Sequence, residues 1–433
     1  MMTTSDKNMS DKMMTSEKDE SSDLLVNNLI YVSPDPLSLA VNRTQTRMFP
    51  QRSQYVAGET LRCDFNSGSL YVDPVNSYLV FDIKLEGTAG FVANWGVGSA
   101  MNLIRQVTLR SKSGTEIDRV ENANIFSRFK TVNTESKAYL RTTGAVEGWD
   151  VTALETGTVV DSPLGADYAI KYALPLKRLS GFFSPVKQGQ LIPAAIFSGL
   201  TIELIFEDVR TAIVAPTQVG SCTGYTLTNV SFMVDGVELT DDTQKTLNSL
   251  SSSSGLECTY ERVYTSINDL SSAQNTLSAQ VRKAVSNSLY AFAVSLNPAN
   301  IRNISADSFK SQPNKCSNYQ WRLGSLFYPN QPLSDPALTG VEPFLAKEMT
   351  FNKLRNEHQE PAVSLDRYRV YEAVICASFE RSQLLNVSGQ PTNNSRVLEL
   401  DCTFQDPDAR QVYVFMVYNC VSRSYLDNTS VGF

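Results

Sequence analysis

Apolar and polar residues alternate with a period of two along much of this chain, the period of half-buried strands. The plainest case is Leu179–Glu207, LSGFFSPVKQGQLIPAAIFSGLTIELIFE, where Leu200, Ile202, Leu204 and Phe206 alternate with Thr201, Glu203 and Ile205. An aromatic pair, a turn, a short apolar run that reads as a strand, and a proline precede it. Asn229–Leu239, NVSFMVDGVEL, adds another strand. Further upstream, Ser69–Gly87 gives two extended runs broken at Asp73–Pro74. Leu103–Glu121 reads as a hairpin around a Ser-Gly-Thr turn. Ile125, Phe126 and Phe129 recur at helical spacing and predict a short helix lying over the sheets. Residues 150–167 look like a loop, and Tyr168–Leu179 returns to strand.

Thr240–Glu257, TDDTQKTLNSLSSSSGLE, breaks the pattern and reads as a Ser-rich linker. Strand patterns then resume in Cys258–Ile267, Ser288–Pro298, Ser317–Gln331, Leu365–Glu380, Arg396–Phe404 and Ala409–Asn419, with a helix expected at Pro343–Leu354. The expected organisation is an N-terminal arm over 1–44, a first β-rich unit over 45–245 and a second over 246–433, joined at about 240–257. Residues 1–24 hold five Met and six acids against three Lys without periodicity, so they are expected to be disordered on their own.

Composition narrows the function. Of 433 residues, 42% are apolar and 19% charged, enough for a sizeable core, and Ser, Thr, Asn and Gln fill the remainder, as in sandwiches with long polar loops. The formal charge is −7 and the basic runs stop at pairs such as Lys177–Arg178, so direct nucleic-acid binding is not expected. The seven cysteines are widely spaced and form no CxxC, which favours free thiols in a reducing compartment. Met1–Lys12 has no apolar core of the secretory kind, and the uncharged stretch Gly87–Ile104 is too polar to span a membrane. The N-x-S/T sequons at Asn8, Asn42, Asn229, Asn303, Asn386, Asn393 and Asn428 are accordingly read as chance.

Candidate chemistry is sparse. The single histidine, His358, sits in a charged loop-like stretch with no GxSxG elbow in the sequence. Gly96-Val97-Gly98 lacks the third glycine of a dinucleotide loop. Asp406 and Asp408 could hold a hard cation, although two acids around a proline are more often a turn. Glu203 and Glu207 fall on one face of one strand and so cannot flank a glycosidic bond. Of the adjacent Phe182 and Phe183, one is expected to point inward and one elsewhere, for packing rather than sugar binding. No catalytic, cofactor or metal residues are assigned, and the chain is not expected to be an enzyme.

Four segments carry a family resemblance. Leu109–Phe126, Phe182–Glu207, Asn229–Gln244 and Val412–Tyr425 resemble parts of the double jelly-roll major capsid proteins of eukaryotic DNA viruses: nucleocytoplasmic large DNA viruses, virophages and Polinton-like viruses. The resemblance implies an all-β chain of two tandem eight-stranded antiparallel jelly rolls with short helices in its loops. It further implies a homotrimer, a pseudo-hexameric capsomer tiling an icosahedral shell in the virion, assembly in the host cytoplasm or nucleus, and contacts with penton and minor capsid proteins. The polar segments 133–167 and 297–345 are then expected at capsomer tops or contacts. A carbohydrate-binding or carbohydrate-acting β-sandwich is the alternative reading, and a minor or penton capsid protein a third.

Overall fold

In the computed structural model one strand order occurs twice. The structure describes residues 39–432 apart from 89–90, 92, 157–168, 186–188, 216–221, 314, 352–361, 382–387, 394–395 and 425–428. The expected disorder of residues 1–24, and His358, lie outside the described residues.

The first half contains β1 (Ala40–Met48), β2 (Gln54–Val56), β3 (Thr60–Asp64), β4 (Tyr71–Gly87), β5 (Ile104–Arg110), β6 (Glu116–Glu121), β7 (Ile170–Pro175), β8 (Thr201–Phe206) and β9 (Cys222–Leu239). They form two sheets ordered β1-β9-β4-β7 and β3-β8-β5-β6, with β2 continuing β1 along β9. The second half contains β10 (Leu256–Leu270), β11 (Thr276–Val281), β12 (Val285–Leu296), β13 (Cys316–Leu323), β14 (Leu326–Ser334), β15 (Ile375–Ser378), β16 (Gln390–Thr392), β17 (Leu398–Phe404), β18 (Arg410–Ser424) and β19 (Thr429–Gly432). Its sheets run β10-β18-β12-β15 and β11-β17-β13-β14, with β16 and β19 added at the side. If β1 and β2 are counted as one strand and the two additions set aside, each half wires its strands 1-8-3-6 and 2-7-4-5, all antiparallel. That is a jelly roll, made twice.

Burial explains the sequence patterns. In β11 the alternation is complete: Leu277, Ala279 and Val281 face the sandwich and the residues between them are exposed. β12 and β18 instead read as continuous apolar runs because both faces of their sheet are covered. Ala291, Ala293, Val414 and Met416 point into the second roll, whereas Tyr290, Phe292, Val294, Phe415 and Val417 join the larger core shared with the first roll. Residues 40–433 accordingly form one compact unit.

Several local expectations are corrected. Ser69–Gly87 is one strand rather than two: Asp73–Pro74 opens a bulge, where the Asp73 carboxylate accepts from Val75 N at 3.0 Å and Ser77 Oγ donates to Asp73 O at 2.7 Å. The apolar run before Leu200 is a helical turn, Ala194–Phe197, entered from Pro193, which has no N–H to give a ladder. The stretch taken as a loop after Asn133 folds into short helices at Lys137–Arg141, Thr143–Val146 and Val151–Thr156, which bury Leu140, Trp149 and Leu154. Leu365–Glu380 is a helix, Leu365–Val370, followed by β15, with Ser364 Oγ capping Arg367 N. Residues 40–44, grouped on sequence with the arm, pair with β9 as part of β1.

Four longer or better-capped helices matter below: α1 (Ala123–Thr134), α2 (Asp241–Ser253), α3 (Val341–Phe351) and α4 (Leu365–Val370). The helices predicted from Ile125, Phe126 and Phe129 and at 343–354 correspond to α1 and α3. The expected Ser-rich linker is α2. Asp241 and Asp242 sit at its positive end, and Ser249, Ser252 and Ser253 each donate a hydroxyl to a carbonyl three residues back.

Candidate functional site: the seam between the rolls

A constellation of buried polar and aromatic side chains lies where the rolls meet. Strand β6, the edge of its sheet, lies beside β10, the edge of another: Tyr260 Oη donates to Ile117 O at 2.7 Å, and Thr265 Oγ1 to Glu121 O at 3.0 Å. Arg262 reaches across to Glu116 at 3.1 Å and Asp118 at 3.3 Å, and Lys130 pairs with Glu261 at 2.7 Å. Burial pushes the Asp118 carboxyl above its ordinary pKa against the opposing pull of Arg262 and the Ser180 hydroxyl.

Helix α1 is buried on nearly all sides because it is wedged between its own roll and the β12–β18 face of the other. Phe126 lies 5.9 Å from Phe292 and 5.5 Å from Phe415, ring centre to ring centre. Two residues on, Arg128 Nη2 donates to Glu372 Oε1 at 2.7 Å, with each side chain 1% exposed. Arg367 of α4 donates to Ala153 O at 3.3 Å. Burial raises the Glu372 pKa, and the charges of Arg128 and Arg367 oppose that rise.

The turn at the start of Leu179–Glu207 supplies the third part of the seam. Ser180 Oγ accepts from Phe182 N and donates to Asp118, which fixes the 3-10 turn Gly181–Phe183. Phe182 and Phe183 are both fully buried, correcting the expectation that one would point elsewhere. Phe182 meets Tyr260 of the second roll edge-on at 5.3 Å, and Phe183 packs against Phe182 at 5.6 Å. Gly181 passes so close to β10 that a Cβ there would lie 1.9 Å from Glu261 O.

The other sequence candidates are not brought together. Gly96 and Val97 close a turn around Asp307 of the second half, whose carboxylate accepts from Val97 N at 2.8 Å. Glu203 lies in β8 near Arg110, but β8 ends at Phe206, so Glu207 does not share its strand face. Glu207 is held by Asn124 Nδ2 at 3.1 Å, and burial pushes its pKa up. Asp406 and Asp408 receive the Lys315 ammonium at 2.6 and 3.4 Å, so a cation is already supplied. Among the described residues no group of three or more His, Cys, Asp or Glu could hold a metal ion, and no helix is long and apolar enough to cross a membrane. All seven cysteines are free and buried.

Sequence reasoning missed Arg128, Arg262, Arg367 and Glu372. Only Arg128 carried a local signal, a cation set inside the apolar face of Ile125, Phe129 and Val132.

The strand order, its duplication and the buried seam define a double jelly roll. No protein-family model matches the sequence, and no curated protein matches it. Solved structures do. The Faustovirus major capsid protein has a TM-score of 0.63 at 8% identity, over 90% of this chain and 92% of that one. A chain of the Sputnik virophage scores 0.60 at 10% identity, over 93% and 90%. The mavirus major capsid protein scores 0.54 at 10% identity, over 93% and 92%. The chain therefore has the fold of double jelly-roll major capsid proteins.

Proposed function

We propose that this chain is a major capsid protein that forms trimeric, pseudo-hexameric capsomers and tiles an icosahedral shell. Its role is structural, not catalytic. The observation that carries the reading is the doubling itself: two rolls of identical wiring fused side by side through a buried seam, matching major capsid proteins over about nine-tenths of both chains. Such a chain offers two similar building blocks, so three copies ring an axis with six. A heterologous contact repeated around a closed ring leaves no binding surface unused.

In this reading residues 45–245 and 246–433 are the two rolls, with β1 extending the first back to Ala40. The acidic arm faces neighbouring capsomers, penton proteins or minor proteins inside the virion rather than the genome, and assembly takes place in the host cytoplasm or nucleus. The carbohydrate alternative loses its residues, because Glu207, Phe182 and Phe183 are engaged in packing.

The test is native mass by light scattering of the purified full chain, followed by electron microscopy. A stable species of three chains is expected. A monomer at every concentration would overturn the reading.

A further inference from the structure

The two rolls share a wiring but not a burial pattern, and the mismatch falls on matching elements. Within the chain, the first roll presents its fifth strand, β6, and the helix after it, α1, to the second roll's first strand, β10, and the sheet behind it. The equivalent elements of the second roll are β14 and α3, and the equivalent first strand of the first roll is β1. These are the elements left bare. All of β1 except Met48 is exposed, as is most of β14. Helix α3 turns its apolar stripe outward, with Val341, Leu345 and Met349 at 43, 55 and 71% exposure, while Lys347 on its other side is 1% exposed. Phe344 and Phe351 already pack the helix on its own roll, and an amphipathic helix packed only there would carry polar residues at the three exposed positions.

We infer that the α3–β14 face of one copy seats on the β1 face of a second copy, repeating between chains the contact that joins the rolls within one. The occupant is argued from continuity: the seam already shows that this type of face, helix plus edge strand, closes on a first strand and its sheet. Charge agrees in sign. β1 has no acid, and with Arg43 engaged by Asp73 and Asp235 of its own sheet its outward charge is the exposed Arg47, whereas the exposed charge beside the α3 stripe is Glu342. At the strand edges of the seam the same polarity holds, with Glu116 and Asp118 of β6 meeting Arg262 of β10, while the helix contacts run the other way, Lys130 of α1 to Glu261 and Arg128 to Glu372. The contact is head-to-tail, so each copy uses one α3 face and one β1 face, and a ring results when the rotation closes. This rests on the capsomer reading and names its interface.

The experiment uses two full-length variants, one bearing Leu345→Asp and Met349→Asp, the other Val41→Asp and Arg47→Asp, with folding checked by circular dichroism and melting temperature. Each alone is expected to lose the three-chain mass and run as a monomer. An equimolar mixture is expected to form a species of two chains and nothing larger, because one intact α3 face still meets one intact β1 face. A Met349→Cys variant carrying a photo-crosslinker is expected to attach to residues 40–48 of another copy. Variants that keep the three-chain mass, a mixture that stays monomeric, or attachment to residues 1–38 or to a second α3 would overturn the inference while leaving the capsomer reading standing. A monomeric wild type would remove both.

Discussion

The Arg128 guanidinium and the Glu372 carboxylate, 244 positions apart in sequence, meet at 2.7 Å inside the seam. Their pairing is incomplete, since Arg128 Nη1 and Glu372 Oε2 have no hydrogen-bond partner among the described residues. A buried ion pair costs most when one partner is removed. Arg128→Ala should therefore destabilise the fold by about 3–5 kcal/mol, whereas the apolar double variant Arg128→Met/Glu372→Leu should lie near wild type or above it. Urea unfolding of wild type, single and double variants checks this. Additive costs would show that the pair is not coupled.

The same carboxylate gives a pH dependence. Burial raises the Glu372 pKa, so over the interval between its unfolded and native values the native state holds a proton that the unfolded chain has released. Stability contributed by this group is then fully present below the ordinary carboxylate pKa of about 4 and is lost as pH rises through the raised native value. Asp118 is shifted the same way by burial and acts in the same direction. Glu59, whose pKa is lowered chiefly by its bond to Arg52, acts oppositely and masks the total. The difference between wild type and Glu372→Gln isolates the group: wild type should gain on the variant as pH falls toward about 4 and then hold level. Parallel stability curves for the two proteins would refute it.

What was legible in the sequence was whatever depended on neighbours a few residues away. The β5–β6 hairpin followed from alternation around a short turn, and α1 from Ile125, Phe126 and Phe129. The doubling was visible because each half carries its own set of strands. Composition misled where it hid local bonds: the Ser-rich stretch after Thr240 is helical because Asp241 and Asp242 favour its start and its hydroxyls bond back to the helix. The seam was invisible for a different reason. Arg128, Arg262 and Glu372 find their partners across the two rolls, and no local spacing encodes such a pairing. The continuous apolar runs of β12 and β18 were the available hint, since a sheet covered on both faces requires something beyond its own sandwich.

Gly181 tests the seam through the backbone. An alanine Cβ at this position would lie 1.9 Å from Glu261 O and 2.9 Å from Glu261 C, so β10 or the Gly181–Phe183 turn must shift. Overpacking of this kind costs about 1–3 kcal/mol, and the backbone contact places Gly181→Ala at the upper end. Gly114→Ala is the control: it shares the added methyl, has nothing within 4 Å, and loses only what its positive φ of +83° demands. Thermal unfolding should rank Gly181→Ala well below Gly114→Ala. Equal melting temperatures would mean that the rolls separate more easily than the seam implies.

The buried thiols make the last prediction, and it runs on the alkaline side. Burial pushes Cys63, Cys258 and Cys376 up to about 12, and the unfolded chain releases those protons near the ordinary thiol value of about 8.5. Between these limits the native state holds more protons than the unfolded one, so stability should fall as pH climbs from about 8.5 toward 12. Cys258→Ala removes one such group and should make the fall shallower. The same burial keeps the thiolate scarce and shielded, so iodoacetamide at pH 8 should label almost none of the seven cysteines in the native protein and all of them in denaturant. Rapid native labelling of Cys258 or Cys376 would show that the seam and the second roll's outer sheet face open in solution, against the packing described for both.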